Sequence, residues 1–104
     1  MNRGEIWMAD LGYTAKMRPV LILSIDYNDY ERAVVTYIPR TTREWRDGRF
    51  DVPHKARGMK DGAFALQLVS TAPDAKFIRR VNEVSTATML EIESALKLWL
   101  GFSI

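Results

Sequence analysis

The chain has 104 residues, 15 Lys and Arg against 13 Asp and Glu, a net charge of +2 and 47% apolar content, which suits one domain with a single core and excludes a disordered chain. It has no cysteine and one histidine, which excludes a disulfide framework and a structural zinc site. No apolar run reaches the ~20 residues that cross a bilayer and residues 1–5 do not read as a signal peptide, so a cytoplasmic protein is expected.

Taken in chain order, Glu5-Ile6-Trp7-Met8-Ala9 reads as a first strand, ended by Asp10 and Gly12. Pro19 to Leu23 is a continuous apolar run of strand length, which implies a strand covered on both faces. Asp26 to Asp29 has the composition of a turn. Arg32 to Ile38 is β-branched and aromatic, and Pro39 is expected to stop it. Residues 40–49 read as a long, mobile, charged loop. From Arg40 to Lys60, Arg40, Arg43, Arg46, Arg49, Lys55, Arg57 and Lys60 stand against only Glu44, Asp47 and Asp51, a basic segment within a nearly balanced chain. Phe50-Asp51-Val52 makes a short strand, Ala63 to Val69 a further apolar run closed by Pro73, and Phe77 to Val84 a last strand. The period then changes. Met89, Ile92, Leu96 and Trp99 recur at helical spacing, with Ser85 as N-cap and Gly101 as C-terminal stop, which predicts a core-facing helix over 86–100. Five or six closely spaced strands pair mainly antiparallel, so the expected fold is mainly β: a small barrel or curled sheet with a C-terminal helix.

Three places invite chemistry. Arg18 precedes Pro19, whose ring holds it extended at a loop-to-strand junction. A guanidinium fork restrained there suits a phosphate gaining charge in a transition state, although the local context by itself favours a surface arginine beside a turn proline. Thr41 and Thr42 follow Pro39 between Arg40 and Arg43, where hydroxyls either hold phosphate oxygens or cap the loop locally. His54 is the sole histidine and so a candidate base, but its polar surroundings read more simply as an exposed structural residue. Asp26 and Asp10 are turn and strand-end residues before they are bases. Trp45, among arginines, either stacks on a base or folds back on the domain.

Arg3-Gly4-Glu5-Ile6-Trp7, Asp10-Leu11, Lys16-Met17-Arg18-Pro19-Val20-Leu21-Ile22-Leu23-Ser24 and Pro39-Arg40-Thr41-Thr42 occur in order. Gln67 follows inside the later apolar run, and Leu98-Trp99-Leu100-Gly101 closes the helix. This set resembles the MazF/PemK (Kid-like) toxins of type II toxin–antitoxin systems along essentially the whole chain, as one toxin domain over 1–104. The resemblance implies an SH3-like barrel of the CcdB/MazF type working as a homodimer. It implies a cofactor-free, metal-independent endoribonuclease that cuts single-stranded mRNA at short motifs and is neutralised by a cognate antitoxin. By the same likeness the ribose 2′-hydroxyl attacks its own phosphate, leaving a 2′,3′-cyclic phosphate and a 5′-hydroxyl. Arg18 would stabilise the phosphorane or protonate the leaving oxygen, and Thr41 would position the phosphate. Lys16, Arg40, Thr42, Arg43 and Gln67 would contact the substrate.

The chain departs from its relatives in two places. Gly12-Tyr13-Thr14-Ala15 is a short loop without their usual glycine and glutamate, and Phe64 and Leu66 stand where some relatives carry an arginine and an acid. The general base is therefore open. Two alternatives share the barrel: a CcdB-like gyrase inhibitor acting through Trp99, Gly101 and Ile104, and a catalytically weakened RNA-binding relative.

Overall fold

The computed structural model describes residues 1–12, 17–43 and 45–103. Seven strands and one helix follow in the order β1 (Glu5–Ala9), β2 (Arg18–Ile22), β3 (Val34–Thr41), β4 (Asp51–His54), β5 (Gly62–Ala65), β6 (Ser70–Pro73), β7 (Phe77–Glu83) and α1 (Thr86–Leu100). All the pairings are antiparallel. They run β4-β5-β3-β2-β1-β7, with β6 also on β3. The sheet is the expected mainly β, SH3-like arrangement, but it stays open, with β4 and β7 as its end strands.

β3 organises the sheet, and it also overturns one expectation. Pro39 does not stop the strand, which continues to Thr41. One edge of β3 takes β2, from Tyr37↔Ile22 to Pro39↔Val20. The other edge takes β6 opposite Val34 to Tyr37 and β5 opposite Arg40 and Thr41. Between β5 and β6 the chain leaves the ladder as a 3-residue 3₁₀ turn, Leu66–Leu68. Pro39 falls opposite that interruption, so its missing N–H costs no ladder bond. The same turn splits the expected 63–69 run into two strands and brings Gln67 out to solvent.

The core has two sides, as the unbroken apolar run of β2 requires. Ile6, Leu21, Ile38, Val52, Phe64 and Leu66 pack on one face with Ile92 of α1, and Ala9, Val20, Ile22, Val35, Tyr37 and Phe77 form the other. Val20, Leu21 and Ile22 are essentially unexposed. Helix α1 begins where the Ser85 hydroxyl accepts the Thr88 N–H and ends at Gly101 in the left-handed region (φ 75°). Ile92 is fully buried, with Met89, Ala95 and Leu96 partly so around it. Trp99, expected in that core stripe, is instead 43% exposed, and its ring lies 5.3 Å from Phe50 at the rim.

The Arg3-Gly4-Glu5-Ile6-Trp7 string, which opens the resemblance, is scaffold. Arg3 donates to the Leu23 carbonyl (2.7 Å) and pairs with Glu93 of α1, tying strand end to helix. Gly4 turns the chain at φ 86°, a conformation that disfavours a side chain. Glu5 accepts from Trp7 Nε1 (3.0 Å) and pairs with Arg80 of β7 (3.1 Å).

Candidate active site

β2 and β3 run antiparallel, so the start of one lies at the same end of the sheet as the finish of the other. Extending the Val20↔Pro39 pairing by two places sets Arg18 across from Thr41. Ala63 of β5 pairs with Thr41 on its other side, and the Leu66–Leu68 turn follows directly. The outcome is a cleft of about 350 Å³ whose walls include Arg18, Thr41, Arg43, Arg46, Asp51 and Gln67. Four expected site residues, Arg18, Thr41, Arg43 and Gln67, therefore converge from three segments.

Arg18 is half-buried and opens β2 opposite Ala9. The Thr41 hydroxyl donates to the Arg43 carbonyl (2.6 Å) and accepts the Arg43 N–H (3.1 Å). The hydroxyl is a local cap that turns the chain so that Arg43 reaches the cleft, and it keeps one lone pair free as an acceptor. Three guanidiniums against the Asp51 carboxylate give the cleft a net positive wall. A hollow of about 330 Å³ beside residues 24–27 is lined instead by Asp26 and Asp74, the wrong sign for phosphate.

The remaining expected site residues lie elsewhere. Arg40 does not line the Arg18 cleft. It is 2% exposed, its Nε donates to His54 Nδ1 (3.0 Å), and its Nη2 donates to the carbonyls of His54 (2.9 Å) and Lys60 (2.7 Å). Its guanidinium rivets the 54–60 segment to the end of β3. His54, expected at the surface, is 9% exposed and its ring lies 4.8 Å from Phe64. Burial, and then the Arg40 charge, hold it below its ordinary value, so it stays neutral with Nδ1 as acceptor. It does not line the Arg18 cleft, nor do Asp10 and Asp26. Thr42 lines a second cleft of about 550 Å³ with Arg40, Lys60, Arg79 and Arg80. Arg80 is neutralised by Glu5 and Glu83; among the described residues no carboxylate pairs with Arg79 or Lys60. Lys16, residues 13–15 and Ile104 lie outside the described residues. Trp45 is 39% exposed.

Sequence reasoning missed Arg46 and Asp51. Asp51 looked like one of a few acids diluting a basic segment. Its one legible signal was the alternation Asp51-Val52-Pro53-His54, whose buried Val52 and His54 send Asp51 outward.

The family described as PemK-like, MazF-like toxin of type II toxin-antitoxin system matches residues 2–100. The chain belongs to this family. A Mycolicibacterium smegmatis protein named probable endoribonuclease MazF is 31% identical over 109 residues, 99% of each chain. A mycobacterial endoribonuclease solved in complex with its cognate antitoxin superposes with a TM-score of 0.83 at 27% identity, covering 100% of this chain and 98% of its own. MazF of Deinococcus radiodurans, solved with MazE, shares the fold at a TM-score of 0.83 and 19% identity, covering 99% of this chain and 97% of its own. The match runs the length of the MazF-like domain and takes in all four residues gathered at the cleft.

Proposed function

We propose that this MazF-like chain is an endoribonuclease toxin that cuts single-stranded mRNA at short motifs in the Arg18–Thr41 cleft, without a metal, and that a cognate antitoxin neutralises it. The convergence of Arg18, Thr41, Arg43 and Gln67 on one basic cleft carries this reading. The scissile phosphate sits between Arg18 and Thr41, and the ribose 2′-hydroxyl attacks it. Charge developing on the phosphorane oxygens meets the Arg18 fork, a donor set placed before the reaction begins. Thr41 orients the phosphate once its hydroxyl turns from the Arg43 carbonyl to a phosphate oxygen, while Arg43 and Gln67 hold the flanking nucleotides. Strand continuing past Thr42 meets Lys60 and Arg79 in the second cleft. An acidic antitoxin segment would compete for the same positive wall.

A homodimer in the cytoplasm, where mRNA is found, completes the reading. Its support is the exposure of Leu90, Leu98, Leu100 and Phe102, between 45% and 63% each, along and after α1. No helix among the described residues is long and apolar enough to cross a membrane.

The test is cleavage of a long mixed-sequence RNA in EDTA with both new ends mapped. The expected products carry a 2′,3′-cyclic phosphate and a 5′-hydroxyl at a recurring short motif. Intact RNA with inhibited gyrase selects the CcdB-like alternative, and RNA bound but uncut selects the weakened relative.

A further inference from the structure

The reaction needs a group to take the proton from the 2′-hydroxyl, and the acid that some relatives carry has no counterpart at Leu66. Phe64 and Leu66, which fill the relatives' arginine and acid positions, are both unexposed in the core, so neither position opens on the cleft. The structure offers a replacement on the neighbouring strand. Asp51 opens β4 directly across from Ala65 of β5. Cross-strand partners share a face, and both line the cleft with Arg18, Thr41 and Gln67. Ala65 presents a single methyl, which leaves the space above it open. Asp51 is the one carboxylate among the described residues of that wall.

The carboxylate is held by one oxygen and free at the other. Asp51 Oδ2 accepts the Arg46 N–H at 2.5 Å, a short charge-assisted bond. Oδ1 accepts no hydrogen bond from the described residues. A carboxylate fixed by one atom presents its second with a defined direction, as a general base requires. Arg46 and Arg43 stand on the same wall and draw phosphate towards that oxygen.

We propose that Asp51 is the general base of this site. This rests on the endoribonuclease reading above. Asp51 Oδ1 takes the 2′-hydroxyl proton as the O2′–P bond forms. The P–O5′ bond then breaks, its electron pair stays on O5′, and O5′ takes a proton from water. Asp51 returns its proton to solvent, so the cycle is closed with no co-reactant.

Substitution with asparagine separates chemistry from tethering. The amide oxygen of D51N still accepts the Arg46 N–H, but the side chain takes up no proton. The experiment compares wild type, D51N, D51A and D51E on one cleavable oligonucleotide. Binding of the same oligonucleotide with a 2′-deoxy ribose at the cut, and thermal melts, report the folded site. The expected result is that kcat of D51N falls on the order of 10²–10⁴-fold, as far as D51A, while the deoxy oligonucleotide binds within a few-fold of wild type. The acid limb of the pH–rate profile disappears in D51N, and D51E recovers part of the rate with that limb present. D51N cutting at the wild-type rate while D51A fails would make Asp51 only a tether for Arg46 and overturn the assignment. Wild-type rates in both also overturn it while leaving the endoribonuclease reading intact. Wild-type protein that leaves the RNA uncut overturns both together.

Discussion

Arg40 donates through Nε to Nδ1 of His54 at 3.0 Å, a buried bond that requires a neutral imidazole. Burial and the Arg40 charge hold His54 below its ordinary 6.5. Above that value, folded and unfolded chains both carry neutral histidine, and the bond is fully retained. As pH falls below it the unfolded chain takes up the proton first, so unfolding becomes easier until the folded histidine also protonates. The melting temperature is expected to drop between about pH 6.5 and 5, the range in which free histidine titrates but most carboxylates do not. The H54N variant, which keeps an acceptor near Nδ1 but no titration, should flatten that drop. An equally steep drop in H54N would remove the histidine from the explanation.

Gly62 lies against the same network. A Cβ built there would meet the Thr41 carbonyl at 2.5 Å and Arg40 Nη1 at 2.8 Å. The carbonyl is main chain and cannot swing aside. Gly62→Ala is therefore expected to destabilise the fold by about 1–3 kcal/mol and to lower cleavage by displacing Thr41. Urea titration and single-turnover cutting measure the two effects. An alanine variant as stable and active as wild type would contradict the close approach.

The second cleft has a different signature. If flanking strand runs past Thr42 to Lys60 and Arg79, their joint replacement by alanine weakens binding of a long RNA but not of a minimal one spanning only the cut. Each lost phosphate contact also reduces the slope of log K against log salt by about 0.7. Unchanged slopes and equal losses on both lengths would place the strand elsewhere.

Helix α1 belongs to the scaffold. Removing the Ser85 hydroxyl should cost about 1 kcal/mol of stability, and Ile92→Ala about 2–5 kcal/mol because the side chain is fully buried. Neither should change kcat at a temperature where the variant is folded. A loss of kcat in folded S85A would tie the helix to the chemistry.

The sequence made some of this legible because it carries order and period. The helix caps at Ser85 and Gly101, the two-faced β2 run and the spacing of Arg18, Thr41 and Gln67 are all one-dimensional signals. Long-range strand pairing is not. Asp51 enters the cleft only because β4 pairs with β5 at Ala65, a contact no local window contains. Arg40 looked like Arg43, since nothing in Pro39-Arg40-Thr41-Thr42 says that one guanidinium turns inward to meet His54. Pro39 read as a stop because the break in its partner strand lies 27 residues further on, at Leu66. The Arg3-to-Trp7 string marked the family while serving the frame.

The most direct test of the reading concerns Arg18. Single-turnover cleavage of a short fluorescent RNA in EDTA should be measured for wild type and R18A, with RNA affinity and melting temperature alongside. The expected result is a folded R18A protein that still binds RNA through Arg43 and Arg46 but cuts it about 10²–10³-fold more slowly, the usual loss on removing one preorganised transition-state donor. A folded R18A protein that cuts at the wild-type rate would contradict the assignment of this cleft as the active site.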